Sequence, residues 1–249
     1  MTTILYHGEP NGPSLTVLAA AFEKQVDVTL ERIDLAAGER HAGAVPRTME
    51  IDLSIEGEGP VLVVDGTPMA DSVFVACYLD DVGAGAPLRP ADPYARWQTM
   101  AWCRYVIERI APAAAYIGLS DAPPRAVPPG IASVDLADRW RAAVEGQVDQ
   151  ARLDDSRSKV AQGVDKVEAQ LADGRDWLMG DFGIADLESY AWLTGMPRLV
   201  PDAFAAHPRT LAWLDRVKAQ PSVARALALA TTPVPEAAWA PGPEINRWG

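Results

Sequence analysis

The hydrophobic pattern of the first third of the chain alternates between strand-like and helix-like stretches. Residues 3–6 and 26–33 are short β-rich or alternating runs, which predict two strands. Residues 14–24 carry apolar side chains at helical spacing and predict a helix between these strands. Residues 34–58 show no sustained period and predict irregular chain with one short helix.

A second pair of strands and a second helix follow. Residues 62–64 are a compact apolar run, and Asp65-Gly66 is typical of a two-residue hairpin, because its second residue reaches positive φ at little cost. Asp71 or Ser72 can then cap a helix with an apolar face. The order β-α-β-α-β-β-α predicts a small mixed sheet with helices on its faces, the thioredoxin-like pattern.

Almost everything after residue 92 predicts helix. A linker over residues 81–92, which contains Gly83, Gly85, Pro87 and Pro90, divides the chain into an α/β domain, 1–82, and an all-α domain, 93–249. Helices are predicted over 93–118, with Pro112 bending or ending the interior, over 134–171 with a break near Asp154, and over 184–193, 208–220 and 221–230. The proline-rich tail, 231–249, predicts irregular chain that packs through Trp239 and Trp248.

Composition narrows the classes of function. The chain has 249 residues, a net charge of −12 and a pI near 4.7, which argues against nucleic acid and anionic lipid as partners. The sequence predicts neither signal peptide nor membrane span, and therefore a soluble cytoplasmic protein. Cys77 and Cys103 lie in apolar helical patterns and are interpreted as reduced core thiols. Three scattered histidines and two separated cysteines predict no metal site.

Three stretches resemble the glutathione S-transferase superfamily. Residues 59–72 place a proline before a strand, then a hairpin, then an acidic residue and a serine at a helix start, as the glutathione site of that family does. Residues 181–187 resemble its structural capping box, with Gly183 in place of the hydroxyl residue. Residues 207–221 resemble its penultimate helices. The resemblance implies a thioredoxin-like domain followed by a helical domain.

A narrower resemblance concerns one branch of that family. Residues 88–94, together with Tyr6 and Ser14-Leu15, look like the bacterial β-etherases that cleave lignin-derived β-aryl ethers with glutathione. The implied reaction is attack of the glutathione thiolate on the ether-bearing carbon of an aryl ketone. Alternatives are a general detoxifying transferase or dehalogenase, and a weakly catalytic or non-catalytic subunit of a heterodimer. The resemblance also implies a homodimer or a heterodimer with a related chain.

The resemblance implies how the chain would hold glutathione. Ser72 and the helix N-terminus would bind the γ-glutamyl carboxylate, and Asp71 would accept from the ammonium group. The plain alternative is a helix cap. The bond before Pro60 would be cis, and the backbone of Gly59 would pair with the cysteinyl amide.

The thiol and glycine ends of glutathione would meet other residues. Ser14 would begin the first helix and donate its hydroxyl to the thiolate, although a simple helix cap is the alternative. Tyr6 fits a buried strand residue better than a catalytic one. Pro13 departs from the Asn-Ser pair of the etherases. Arg40 or His41 would pair with the glycine carboxylate, unless both are solvated surface residues.

An aromatic substrate would bind between the two domains. Trp102, Tyr105 and Tyr116 are the aromatic side chains predicted to form the wall of its pocket, with core packing as the alternative.

Overall fold

A four-stranded sheet forms the N-terminal part of the protein. The computed structural model describes residues 2–41, 43–47, 58–122, 126–131, 134–145 and 149–242. The strands are β1 (Thr3–His7), β2 (Thr29–Arg32), β3 (Val61–Val64) and β4 (Thr67–Met69). Their order is β2-β1-β3-β4, with β1 parallel to β2 and antiparallel to β3, and β3 antiparallel to β4. This order confirms the thioredoxin-like pattern.

The turns and edges of the sheet follow from local sequence. Asp65 and Gly66 both have positive φ, 46° and 84°, and join β3 to β4 as the hairpin prediction required. Strand β2 is shorter than predicted, because only one of its edges pairs and most of its side chains are exposed. Within residues 34–47, short 3₁₀ turns cover Leu35–Ala37 and Glu39–His41. The prediction for residues 48–57 falls outside the described residues.

Helices build the rest of the protein. Two flank the sheet, α1 (Gly12–Glu23) and α2 (Ser72–Val82). The others are α3 (Pro93–Tyr105), α4 (Ala111–Asp121), α5 (Val134–Val144), α6 (Gln150–Gln170), α7 (Ile184–Leu193), α8 (Met196–Leu199), α9 (Pro208–Lys218) and α10 (Pro221–Leu227). The expected architecture, a thioredoxin-like domain and a helical domain, is confirmed, while the boundaries 1–82 and 93–249 stay a prediction.

Two helix breaks differ from the sequence pattern. A π-helical turn, Val106–Ile110, separates α3 from α4, and Pro112 lies in the first turn of α4, where its missing N–H costs nothing. The break predicted near Asp154 lies earlier, because α5 ends at Val144 and Asp149 caps α6 through its carboxylate, which accepts from the Ala151 N–H.

Helix α1 lies at the centre of the molecule. Its residues from Gly12 to Ala21 are buried, and it packs against α2, α7 and α10. The N-terminus of α1 therefore faces the junction of the sheet with the helical domain. No helix in the described part of the chain is long and apolar enough to span a membrane.

Candidate active site

Helix α2 begins with a strained and capped turn. The Asp71 carboxylate accepts the backbone N–H groups of Val73 and Phe74, both at 3.0 Å. Asp71 has a φ of 73°, an uncommon conformation for a residue with a side chain, and such strain concentrates at functional sites. Ser72 follows at the first helical position and is buried. Asp71 therefore caps α2, as the plain alternative held. A ligand role for either Asp71 or Ser72 stays a prediction.

A carboxylate that the sequence analysis missed lies against Ser72. Glu188 of α7 is completely buried and accepts from Thr16 Oγ1 at 2.8 Å, Trp192 Nε1 at 2.8 Å and Ser72 Oγ at 3.3 Å. Burial raises the pKa of Glu188 to about 7, against the lowering effect of the bonds from Trp192 and Thr16. The pattern of residues 184–193 indicated only a buried helix, so it gave no sign of this contact.

Asp186, two positions earlier, confirms the structural capping box. Its carboxylate accepts the Gly183 N–H at 3.2 Å, the Leu178 N–H at 3.0 Å and Trp213 Nε1 at 2.9 Å. Burial raises the pKa of Asp186 to about 6. This group therefore braces the start of α7, from which Glu188 projects.

Ser14 is placed differently from the prediction. It is the third residue of α1 rather than its cap, because Asn11 takes the N-cap position and Pro13 fits the first turn. The Ser14 hydroxyl accepts the Gly8 N–H at 3.0 Å and only 1% of the residue is exposed. This bond uses an oxygen lone pair and leaves the hydroxyl proton as a donor.

The chain enters β3 through a trans bond. None of the peptide bonds between described residues is cis, so the expectation for Pro60 is wrong. Trans is the more stable isomer of an X-Pro bond by about 0.5–1 kcal/mol, and nothing in the local sequence reverses that preference. Just before Gly59, the Glu58 N–H donates to the carbonyl of Pro241 at 2.7 Å.

Arg40 and His41 are buried rather than solvated. His41 Nε2 lies 2.6 Å from Glu58 Oε1, and Trp140 Nε1 donates to the same oxygen at 2.6 Å. Only 3% of the His41 side chain is exposed. The solvated alternative is therefore wrong, while pairing with a glycine carboxylate stays a prediction.

A small cavity opens at the N-terminus of α1. Its volume is about 40 Å³. The lining combines the loop before α1, the first 3₁₀ turn, the entry to β3, α7 and the tail: Glu9, Asn11, Gly12, Pro13, Asp34, Leu35, Ala36, Glu58, Trp192, Ala238, Trp239 and Ala240. Among the described residues, no donor meets the buried atoms Asn11 Oδ1 and Glu58 Oε2. A ligand with N–H groups would satisfy such acceptors.

The tail, residues 231–242, covers this cavity, and we name it the C-terminal strap. Asn11 Nδ2 donates to the carbonyl of Ala238 at 3.4 Å. The indole of Trp239 is 2% exposed and stacks on Trp192, with 6.4 Å between ring centroids. A Cβ at Gly118 would lie 2.2 Å from that indole, so only glycine admits it. The prediction that the tail packs through Trp239 is confirmed, and Trp248 lies outside the described residues.

The predicted aromatic wall lies elsewhere. Trp102 donates from Nε1 to Ser189 Oγ at 2.9 Å and forms a tilted pair with Tyr105. The Tyr116 hydroxyl accepts from the Asp149 N–H at 3.0 Å. None of the three lines the cavity, whose aromatic side chains are Trp192 and Trp239. The missed signal was the tryptophan in the tail, which indicated packing but not its location.

Comparison with known proteins agrees with the fold. Residues 120–221 match the model of the glutathione S-transferase C-terminal domain. A glutathione transferase homologue from Sulfitobacter, solved with bound glutathione, shares the fold at a TM-score of 0.65 and 20% identity, over 90% of this chain and 96% of that one. The chain therefore has the glutathione S-transferase fold, which the sequence predicted.

Among these relatives, the chain is similar to a bacterial etherase over most of its length. It is 28% identical to protein LigF of Sphingobium sp. strain SYK-6 across 246 residues, which cover 90% of this chain and 92% of the relative. The solved structure of β-etherase LigF gives a TM-score of 0.81 at 27% identity, over 92% of this chain and 99% of that one. These findings support a glutathione-dependent transferase and confirm the expected resemblance.

Proposed function

We propose that the protein is a β-etherase that cleaves β-aryl ethers of lignin-type aromatic ketones with glutathione. The thiolate attacks the ether-bearing carbon and forms a C–S bond, the C–O bond breaks with its electron pair on oxygen, and a phenolate leaves. The neighbouring ketone activates that carbon. The observation that carries this proposal is the similarity to β-etherase LigF along both domains.

The γ-glutamyl end of glutathione would bind at the start of α2. The Ser72 hydroxyl and the positive end of the helix dipole suit a carboxylate, and the Asp71 carboxylate suits the ammonium group. The backbone at Gly59 and Pro60, next to β3, would pair with the cysteinyl amide. Arg40 and His41, which both belong to the turn Glu39–His41, would meet the glycine carboxylate.

The thiol would lie at the N-terminus of α1. Because the Ser14 hydroxyl already accepts from Gly8, its proton is available for the sulfur. The partial positive charge of the helix start favours thiolate over thiol. Ser14 is therefore the residue proposed to stabilise the nucleophile.

The aryl group would bind against Trp192 and Trp239. Pockets for small molecules are typically about 300–1,000 Å³. The 40 Å³ cavity is far smaller, so the C-terminal strap has to shift when substrates bind. This assignment replaces Trp102, Tyr105 and Tyr116 as the proposed substrate wall.

Replacement of Ser14 tests the chemistry. Ser14→Ala should lower glutathione-dependent phenol release by about ten- to a thousandfold, because one donor to the thiolate is lost. Ser120→Ala, at the far end of α4, is the matched control and should retain the rate. An unchanged rate in Ser14→Ala refutes the proposed role of the hydroxyl.

A non-catalytic subunit is the second candidate. Ser14 is almost completely buried, and Pro13, Gly59 and Gly183 stand where the glutathione S-transferase family usually has other residues. Both observations favour this candidate. Such a chain would bind glutathione, release no phenol alone and become active with a related chain. Assays of the purified chain with and without that partner separate the two candidates. A detoxifying or dehalogenating transferase would show turnover only with another substrate.

We propose in addition that the chain forms a dimer with a second copy. Phe74 on α2 and the stacked pair Tyr94 and Trp97 on α3 are more than 60% exposed. The two helices are adjacent, since Cys77 Sγ lies 3.9 Å from Met100 Sδ. Exposed aromatic surface of this kind marks interaction sites. Trp97→Asp should lower the mass measured by light scattering to that of one chain, and a wild-type protein of single-chain mass would contradict the dimer.

A cytoplasmic location goes with this proposal. Glutathione keeps thiols reduced there, and both Cys77 and Cys103 are free.

A further inference from the structure

Glu188 joins three helices through one carboxylate. Its hydrogen-bond donors are Thr16 from α1, Ser72 from α2 and Trp192 from α7 itself. None of its surface is exposed. A buried carboxylate is costly unless several donors satisfy it, and the three contacts supply that compensation. Glu188 therefore lies next to Ser72 in the proposed glutathione site, although no step of the proposed reaction uses its carboxylate.

The contact with Ser72 is the weakest of the three. Its oxygen–oxygen distance of 3.3 Å is long, whereas the usual distance for an O–H···O bond is about 2.7–2.8 Å. The bond from Thr16 measures 2.8 Å. A hydroxyl has a single proton, so Ser72 cannot donate fully both to Glu188 and to a ligand carboxylate. The two carboxylates compete for the same donor.

We infer that Glu188 is a positioning residue that releases the Ser72 hydroxyl to the γ-glutamyl carboxylate when Glu188 takes up a proton. The ionised Glu188 holds the Ser72 proton and places a negative charge behind the ligand carboxylate. The neutral acid needs that donor less and removes the repulsion. Ligand binding and proton uptake by Glu188 are therefore coupled. This inference rests on the proposed glutathione site.

The groups that face Glu188 agree with proton uptake, rather than proton release, when the ligand binds. Asp71, before α2, is negative and raises the pKa of Glu188, while burial is the larger cause. Cys103 on α3 is neutral, because burial raises its thiol pKa well above the usual range. Asp186 is a second acid on α7, two residues before Glu188, and the α1 side chain that contacts Glu188 is the uncharged Thr16. A ligand carboxylate adds one more negative charge to a largely acidic surrounding.

The coupling predicts how affinity changes with pH. Because Glu188 titrates near pH 7, binding should be strongest below this value and weaken as pH rises through it. S-methylglutathione is the probe, since it carries no thiol that titrates in the same range. Calorimetry at pH 5.5–8.5, in two buffers of different ionisation enthalpy, measures both affinity and protons taken up.

The wild-type protein should lose about tenfold in affinity between pH 6 and 8 and take up a fraction of a proton near pH 7. Glu188→Gln keeps the size and resembles the neutral acid, with one acceptor oxygen and a donor group in place of the second oxygen, but it cannot ionise. Its affinity should be flat over this range and exceed that of the wild type at pH 8. Glu108→Gln, in an exposed ion pair with Arg104, should retain the wild-type profile.

A second measurement does not depend on a variant. In wild-type protein labelled with ¹³C at the glutamate carboxyl carbons, one signal should titrate near pH 7 and move to higher pH with saturating S-methylglutathione. A flat wild-type affinity, a Glu188→Gln profile equal to the wild type, or no ligand-dependent signal overturns the inference alone. Absence of any binding at every pH overturns the proposed glutathione site and this inference together.

Discussion

The start of α2 and the C-terminal strap are built in opposite ways. Asp71 is held by backbone groups two and three residues away. The strap has little regular structure and is fixed by Asn11, Glu58 and the space over Gly118, all more than 100 residues distant. A locally built turn holds its shape independently of the helical domain. A segment built from distant contacts can open without unfolding the rest.

Removal of the Trp239 ring should have the largest effect. Trp239→Ala deletes a fully packed indole and should lower the free energy of unfolding by about 3–5 kcal/mol if the strap stays in place. If the strap opens instead, the loss will be much smaller and glutathione will bind faster. Denaturant unfolding together with stopped-flow binding decides between these results.

Phe204→Ala is the matched control for Trp239→Ala, because Phe204 is an equally buried aromatic ring outside the strap. The Phe204→Ala variant should be less stable than the wild type but should bind glutathione no faster. Equal binding kinetics in the two variants would contradict a strap that moves separately.

Glu188 lies between the start of α2 and the strap. It accepts from Ser72 of α2 and from Trp192, which stacks on Trp239 of the strap. Its pKa near 7 lies above the ordinary 4.5, so the folded state binds the proton more tightly than the unfolded state. Its contribution to stability is full below about pH 4.5 and is lost as pH rises through about 7. The stability of Glu188→Gln relative to wild type should thus rise by roughly 2–3 kcal/mol between pH 5 and 8.

Urea unfolding of both proteins at several pH values measures this difference. Because Asp186 is present in both proteins, its own contribution to the pH dependence cancels. A difference that does not change with pH would show that Glu188 does not titrate in this range.

Asp71→Asn separates the cap from the ligand contact. Asparagine caps helices as well as aspartate and tolerates positive φ, so the melting temperature should stay close to wild type. The lost charge should weaken glutathione binding about ten- to a hundredfold, since charged hydrogen bonds contribute about 1.5–3 kcal/mol. Calorimetry measures the affinity for glutathione, and thermal melting measures the stability of the variant. Unchanged affinity would reduce Asp71 to a structural cap.

Asn11→Ala should have the smallest effect. Its bonds to the carbonyls of Glu236 and Ala238 are long, 3.5 and 3.4 Å, so their loss should cost less than about 1 kcal/mol. The rate of strap opening should nevertheless rise, which hydrogen exchange at residues 236–240 measures. Exchange as slow as in the wild type would mean that Trp239 alone holds the strap.

Local motifs made a hairpin and two helix starts predictable. The Asp65-Gly66 hairpin, the start of α2 and the Gly183 to Asp186 cap depend on neighbours within four residues, which a single sequence displays. The start of α1 was predicted too late, because Ser14 looked like a cap while the proline before it marks the first turn.

The contacts between distant elements could not be predicted in the same way. Glu188 lies in a helix whose neighbours are all buried, and no period marks the one acid that reaches Ser72. The pairing of His41 with Glu58 and the position of Trp239 depend on how the domains pack. The cis bond before Pro60 came from resemblance alone and was wrong.

Quantification of both products from a β-aryl ether ketone tests the central claim most directly. The purified chain, incubated with the ketone and glutathione, should release the phenol and form the glutathione thioether in equal amounts, with neither product when glutathione is omitted. Phenol release without glutathione, or glutathione binding with no release of phenol, would contradict a glutathione-dependent etherase acting alone.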